Sequence, residues 1–125
     1  MVQLRDLIDM EDSSDARNLF FCMTLCHTAI VQRIKRGSQH GFISESEDEL
    51  ALLSSAKQIG FSFLKRTDKD IYVSAFKEKL VFRMIGMFPF DPERRIMSII
   101  VESETNETIM FSKGADSSMF NICKL

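Results

Sequence analysis

Lys113-Gly114-Ala115-Asp116 ends an apolar run and opens a helix start, which sets one ammonium beside backbone N–H groups. That combination suits an anionic ligand. Upstream, Phe90-Asp91-Pro92-Glu93-Arg94-Arg95 joins an aromatic ring to a pair of guanidinium groups. Such a ring can stack on a flat base, a contribution on the order of 1–3 kcal/mol that orients a ligand without binding it tightly. Arg94 and Arg95 could hydrogen-bond ribose or phosphate oxygens through their planar forks. Earlier still, Glu49 follows Ser46 by three residues. Its carboxylate could complete a capping box with Ser46 or accept a hydrogen bond from the amino group of adenine. One side chain cannot do both fully.

Each of these groups also has a purely structural reading. Phe88 and Phe90, flanking Pro89, could both be core rings. Arg94 and Arg95 could be solvated turn charges. Lys113 could be a strand-end lysine reaching into water, with Gly114 supplying a positive φ and Asp116 a helix cap. The Gly-x-x-x-x-Gly-Lys-Ser/Thr pattern is absent, so any phosphate contact needs a different architecture. Cys22, Cys26 and His27 invite a metal reading, but a structural zinc site takes four ligands and no fourth lies nearby in sequence. The Cys-x-x-Cys-His haem spacing is missing too, and these residues read as core and helix surface.

These groups sit in a chain of 125 residues, long enough for one domain whose core needs neither disulfides nor metal. Hydrophobic residues at 45% and charged residues at 27% fit an ordinary globular protein. A net charge of −2 gives no broad electrostatic reason to bind nucleic acid or an anionic membrane. Three cysteines make no disulfide framework and favour a reducing compartment. The longest apolar stretch, Leu19 to Val31, is shorter than the roughly 20 residues that span a bilayer. The N-terminus has no signal-peptide pattern, so the expectation is a soluble chain.

The positioning elements follow from periodicity. Residues 1–18 are polar and acidic and read as a linker or frayed end. Ser14 or Asp15 could cap a helix running to about Arg36, with Leu19, Phe20, Met23, Cys26, His27 and Ile30 on helical spacing and Gly37 as its stop. A loop follows over 37–44. A second helix is predicted from Glu47 to Ile59, ended by Gly60. The period then turns to alternation. Strands are expected at Phe61–Phe63, Ile71–Phe76, Leu80–Met87, Met97–Val101 and Ile109–Lys113, then a helix from a cap at Asp116 to about Lys124. Helices first and short-linked strands after argue for an α+β domain, an antiparallel sheet flanked by helices.

Cys26-His27-Thr28, Glu45 to Leu52, Gly60-Phe61-Ser62-Phe63 with Arg66, Phe90-Asp91 through Met97-Ser98, and Lys113-Gly114-Ala115-Asp116 occur in this order. Together they resemble the nucleotide-binding domain of type IV P-type ATPases, the phospholipid flippases, over roughly residues 19 to 124. The resemblance implies an ATP site in which Glu49 is the adenine-side glutamate, Phe90 the stacking aromatic, and Lys113, with Gly114, the floor of the cleft. Arg95 stands where the family usually has a lysine near the phosphates. Glu47 replaces the family's usual proline, and Pro92 a usual serine.

The Asp-Lys-Thr-Gly phosphorylation motif, the phosphatase loop and the Mg²⁺-binding aspartates are absent from the sequence. The resemblance therefore implies a partial nucleotide-binding domain over 19–125, incomplete at both ends. Such a domain binds ATP for phosphoryl transfer to an aspartate elsewhere. Mg²⁺, the phospholipid, an accessory subunit and the cytosolic face of a membrane belong to the parent. The chain alone should not be catalytic. The competing expectations are a non-enzymatic interaction module that docks a partner on Leu19–Val31, and a truncated fragment without function.

Overall fold

The structure, a computed structural model, describes residues 14–33 and 40–123. Helix α1 (Ser14–Leu25) is followed by a two-stranded ribbon of β1 (Ile30–Arg33) and β2 (His40–Ile43), then by α2 (Glu47–Ile59). Five strands come next: β3 (Phe61–Arg66), β4 (Asp70–Ala75), β5 (Glu78–Phe88), β6 (Ile96–Glu102) and β7 (Thr108–Gly114). A short helix, α3 (Asp116–Ile122), follows them. The five strands form one antiparallel sheet in sequential order, so each strand pairs with its chain neighbour. This is the α+β architecture the sequence predicts.

Alternation explains the sheet's packing. In β4, Ile71, Val73 and Ala75 are buried while the residues between them are half-exposed, as a strand with one covered face requires. Phe20, Phe21 and Leu25 of α1 meet Phe61, Phe82, Ile99, Val101 and Phe111 in the main core. Phe61 stacks on Phe20 at 5.5 Å and meets Phe21 edge-on at 5.2 Å. A second, smaller cluster of Ala29, Leu53 and Phe63 anchors the β1–β2 ribbon against α2 and β3.

The first helix departs from expectation. It ends at Leu25, not near Arg36, and Ile30–Arg33 is a strand. The apolar spacing continues past Leu25, but Ile30 and Val31 are β-branched and pair with Ile43 and Phe42. The expected stop at Gly37 lies outside the described residues, as do 1–13, and residues 40–43 of the expected loop form β2. Residues 14–18, read as linker, are helical. The apolar face offered to a partner in the competing expectation instead buries Phe20, Phe21, Thr24 and Leu25 in the chain's own core.

Other boundaries moved for local reasons. Phe76 and Lys77, both at positive φ, form a two-residue hairpin turn between Ala75 and Glu78, so β4 stops before Phe76. The cap of α3 is Ala115 rather than Asp116. The Ala115 N–H is donated to the Arg95 carbonyl at 3.0 Å, and its own carbonyl accepts from Met119 at 2.9 Å. Asp116 is left in the first turn, where its charge complements the helix dipole. Among the described residues no helix is long and apolar enough to cross a membrane.

Candidate functional site

A cleft of about 960 Å³ opens where three parts of the fold meet. The ribbon supplies Ile30 and Ile43, the segment leading into α2 and its first turns supply Ser44, Glu45, Ser46, Asp48, Glu49 and Leu52, and the β7–α3 junction supplies Lys113 to Asp116. Thr28, Phe90 and Met97 complete it. Ile30 and Ile43 are cross-strand partners, so one register brings both to the cleft.

Glu49 is the hub. It reaches the cleft because α2 begins at Ser46, whose hydroxyl accepts the Glu49 N–H at 3.3 Å. The reciprocal half of the capping box is not made. The Ser46 N–H goes to the Ser44 hydroxyl at 3.0 Å, which frees the Glu49 carboxylate for other partners. Lys113 Nζ donates to its Oε1 at 3.1 Å, and Ser44 Oγ to its Oε2 at 2.7 Å. The Thr28 N–H lies 3.2 Å from Oε1, and the Thr28 hydroxyl 3.3 Å from Oε2. Burial pushes the Glu49 carboxyl's pKa upward, but the Ser44 and Lys113 hydrogen bonds and the Lys113 charge outweigh it and hold the group below its ordinary value. Glu49 is a buried, charged acceptor whose lone pairs are already engaged.

The corner between α1 and β1 aims Thr28 at Glu49. Thr24 donates its hydroxyl to the Phe20 carbonyl at 2.7 Å within the last turn of α1. His27 Nε2 lies 2.7 Å from the Thr24 carbonyl, and Nδ1 accepts the Ala29 N–H at 3.1 Å. Those partners require the neutral tautomer protonated at Nε2. Burial lowers the His27 pKa to about 4, with Arg66 and Lys113 adding to the shift. Arg66 reaches across from β3 with both arms, Nη1 to the His27 carbonyl at 2.7 Å and Nη2 to the Ala29 carbonyl at 2.9 Å. Cys22 and Cys26 serve packing: Cys26 Sγ lies 3.6 Å from the Met97 carbonyl, and Cys22 Sγ 3.7 Å from that of Ser112. Among the described residues no group of His, Cys, Asp or Glu side chains is placed to hold a metal ion.

The structure brings Glu49, Phe90, Lys113 and Gly114 to one cleft; the Arg95 side chain is not among its lining. Phe88 and Phe90 are 48% and 58% exposed, so the reading of both as core is corrected. Phe88 is the last residue of β5, paired with Ser98, and Pro89 with the turn after it carries Phe90 beyond the strand's end. Lys113 is no free strand-end cation, since Glu49 holds it. Arg94 donates to the Ile96 carbonyl at 3.1 Å, and Arg95 sits at φ 58° in a turn closed by its N–H to the Asp91 carbonyl. Sequence reasoning missed Thr28 and Ser44 as partners of Glu49. The Cys26-His27-Thr28 motif marked the place without revealing its task.

Gly114 is required for space rather than for a positive φ. A Cβ there would run into the Arg95 carbonyl oxygen and come within 2.9 Å of Ile96 Cγ1 and 3.1 Å of Ile96 Cα. Gly114 is paired with Ile96, so the two segments cannot part cheaply. Gly114→Ala is expected to destabilise by about 2 kcal/mol in urea melts, as overpacked sites do. Gly86→Ala, whose Cβ would meet only Phe88 Cε2 at 3.9 Å, is the control and should stay within about 0.5 kcal/mol.

Comparison with known proteins identifies the family of the chain. Residues 15–125 match the family described as P-type ATPase, cytoplasmic domain N. The chain is 34% identical over 106 residues to mouse (Mus musculus) phospholipid-transporting ATPase IC, covering 85% of this chain and 8% of that protein. It is 37% identical over 131 aligned positions to Homo sapiens phospholipid-transporting ATPase IH, covering 90% of this chain and 12% of that one. To Arabidopsis thaliana phospholipid-transporting ATPase 10 it is 33% identical over 110 residues, covering 83% and 9%. The chain thus spans about a tenth of the length of the curated relatives it matches.

Proposed function

The chain belongs to the cytoplasmic N domain family of P-type ATPases, in the type IV phospholipid-transporting branch, and from that premise we propose that its cleft binds the adenine nucleotide used by a lipid-translocating parent. One observation carries the reading. Phe90 and Lys113, separated in sequence by β6 and most of β7, line the same cleft as Glu49. The Phe90 ring is exposed there and free to take a base on its face.

Each residue then has a task set by its surroundings. Phe90 stacks on the adenine. Glu49 accepts a hydrogen bond from the exocyclic amino group, and its lone pairs being engaged, one present donor yields. The Thr28 hydroxyl, at 3.3 Å, makes one of its longer contacts and belongs to an exposed residue. Lys113 keeps the Glu49 carboxylate charged and forms the floor. Gly114 lets β7 lie close to Arg95 and Ile96. Arg95, which the resemblance would put near the phosphates, acts here through its backbone at the turn.

The parent transfers the terminal phosphate to an aspartate in a neighbouring domain and moves phospholipid. We place this domain on the cytosolic face of its membrane. Mg²⁺ arrives with the nucleotide and is held by the parent's other domains. The lipid and any accessory subunit are met only through them. The reading of Leu19–Val31 as a docking helix draws no support from a segment whose helix ends at Leu25 and turns Phe20, Phe21, Thr24 and Leu25 into the chain's own core.

Affinity should be weak, around the millimolar range that corresponds to roughly −4 kcal/mol, because ordering the site offsets part of one stacking contact and a few polar ones. Backbone amide shifts followed by NMR during an ATP titration measure it. Movement near Glu49, Phe90 and Lys113 is expected, and none in several-millimolar ATP would end the proposal. Phe90→Ala should weaken binding about tenfold, about 1.4 kcal/mol. Because the ring is exposed, the same change should leave the urea midpoint almost unmoved.

A further inference from the structure

We propose that Cys22 and Cys26 form a peroxide-oxidisable pair whose disulfide reshapes the corner that presents Thr28 to the cleft. The two stand four residues apart on one side of the last turn of α1, where the Cys26 N–H is donated to the Cys22 carbonyl at 2.9 Å. That spacing sets their Cα atoms about 6 Å apart, within the span of a disulfide. Their Cβ atoms, about 5–6 Å apart at this spacing, must approach to about 4 Å before the sulfurs can bond. The last turn therefore has to give. It is placed to do so, because α1 ends at Leu25 and Cys26 already lies beyond the helix, at the start of the corner. A bond closed against such strain is readily reduced, which makes the pair a reversible element and not a structural staple.

The two thiols differ as an attacking and a resolving group should. Cys22 is half-buried and Cys26 fully buried. A hydrogen bond from Cys26 holds the Cys22 thiol below its ordinary pKa, against burial and with help from the Lys113 charge. The same bond, with burial, pushes the Cys26 thiol up. The Cys22 thiolate attacks one oxygen of hydrogen peroxide; the O–O bond breaks, leaving a sulfenic acid and a hydroxide that takes up a proton. The Cys26 sulfur then displaces the hydroxyl from Cys22, so the S–S bond forms as the S–O bond breaks, and the Cys26 proton leaves in water. The thiols lose two electrons and the peroxide becomes two waters. In the reduced chain Cys26 Sγ lies 3.6 Å and 3.7 Å from the Met97 and Phe111 carbonyls, and Cys22 Sγ 3.7 Å from that of Ser112. Drawing the sulfurs together removes both S–H donors from that wall. It also pulls on the segment just before Thr28, whose N–H and hydroxyl hold Glu49. Lys113, next after Ser112, holds the same carboxylate from the other side.

The test treats the whole chain, carrying Cys123→Ser to remove the exposed third thiol, with hydrogen peroxide in slight excess. It needs no nucleotide, so its outcome is independent of the reading above. Tryptic peptide 18–33, which holds both cysteines, is expected to lose two hydrogens and to regain them with dithiothreitol. The Thr28 and Glu49 amide shifts should move on oxidation and return on reduction. Cys22→Ser should slow thiol loss about tenfold. Cys26→Ser should leave a sulfenic acid at Cys22 that dimedone traps. Because Cys22 is half-exposed, Cys22→Ser keeps the fold even where the buried Cys26→Ser does not. A peptide 18–33 that keeps both thiols, or only gains oxygen, would overturn the proposal, as would undiminished thiol loss in Cys22→Ser. A disulfide that leaves the Thr28 and Glu49 amides unmoved would overturn its reach to the corner.

Discussion

Arg66→Met is expected to destabilise the fold by about 3 kcal/mol and to loosen the candidate cleft at the same time. Arg66 is not itself among the residues lining the cleft. Its forked guanidinium holds two carbonyls at the corner after α1, those of His27 and Ala29, whose residues are 1% and 0% exposed. Methionine keeps the aliphatic packing and removes both donors. Each orphaned carbonyl then costs on the order of 1–3 kcal/mol, because water reaches such a corner poorly. A cation–π contact with Phe63 at 5.7 Å is lost as well. Arg66→Lys should recover less than half of the loss, since a single ammonium cannot reproduce the planar fork. The urea midpoint reads the stability. Amide shifts of Thr28 and Glu49 in the folded fraction read the corner, and a variant as stable as the parent, with both amides unmoved, would show that something else holds it.

The contrast between Arg66 and Glu49 indicates which parts of this fold were legible in the chain. Helix α2 matched its predicted bounds because its signals are local: Ser46 as cap, acids in the first turn, and Gly60 at φ 121° as the stop. The sheet was legible for the same reason, each strand being joined to its neighbour by a short turn. Helix α1 was overextended because part of what ends it lies outside the local pattern. His27 is satisfied locally, by Thr24 and Ala29, but the corner's two carbonyls are held by Arg66 from the distant strand β3. Periodicity carries no record of such a contact.

The site divides along the same line. Phe90, Lys113 and Gly114 could be picked out only through the resemblance of their motifs to a known family, since each alone also fits a core ring, a strand end or a turn. The choice between the two roles of Glu49 could not be made from sequence. It depends on the Ser44 hydroxyl taking the Ser46 N–H, and on Lys113 arriving from a strand sixty-four residues further along. Gly114 was expected to supply a positive φ, but the structure needs it for backbone proximity, which, unlike a turn, leaves no mark on neighbouring residues.

Acid should unfold this domain earlier than its carboxylates alone would require, through His27. The ring is 1% exposed, and its pKa is lowered to about 4, against an unfolded value of about 6.5. Between those values the unfolded chain holds a proton that the folded one refuses, so stability falls as pH falls. Above about pH 7 this group contributes no slope, and below about pH 4 its loss levels off. The cost is about 2 kcal/mol at pH 5 and about 3 kcal/mol once both states are protonated. Glu49 adds a separate window at lower pH. Its folded pKa is depressed, so the stability it supplies persists until the pH falls below the ordinary carboxylate range. Urea melts at half-unit steps from pH 7.5 to 4 should therefore show a slope approaching one proton near pH 5, about 1.4 kcal/mol per pH unit. His27→Gln retains a donor for the Thr24 carbonyl and cannot titrate. It should start less stable at neutral pH yet lose that slope, and an unchanged slope in the variant would assign the acid sensitivity to another group. Because His27 and Thr28 share one corner, ATP affinity should decline across the same interval, before Glu49 itself takes a proton.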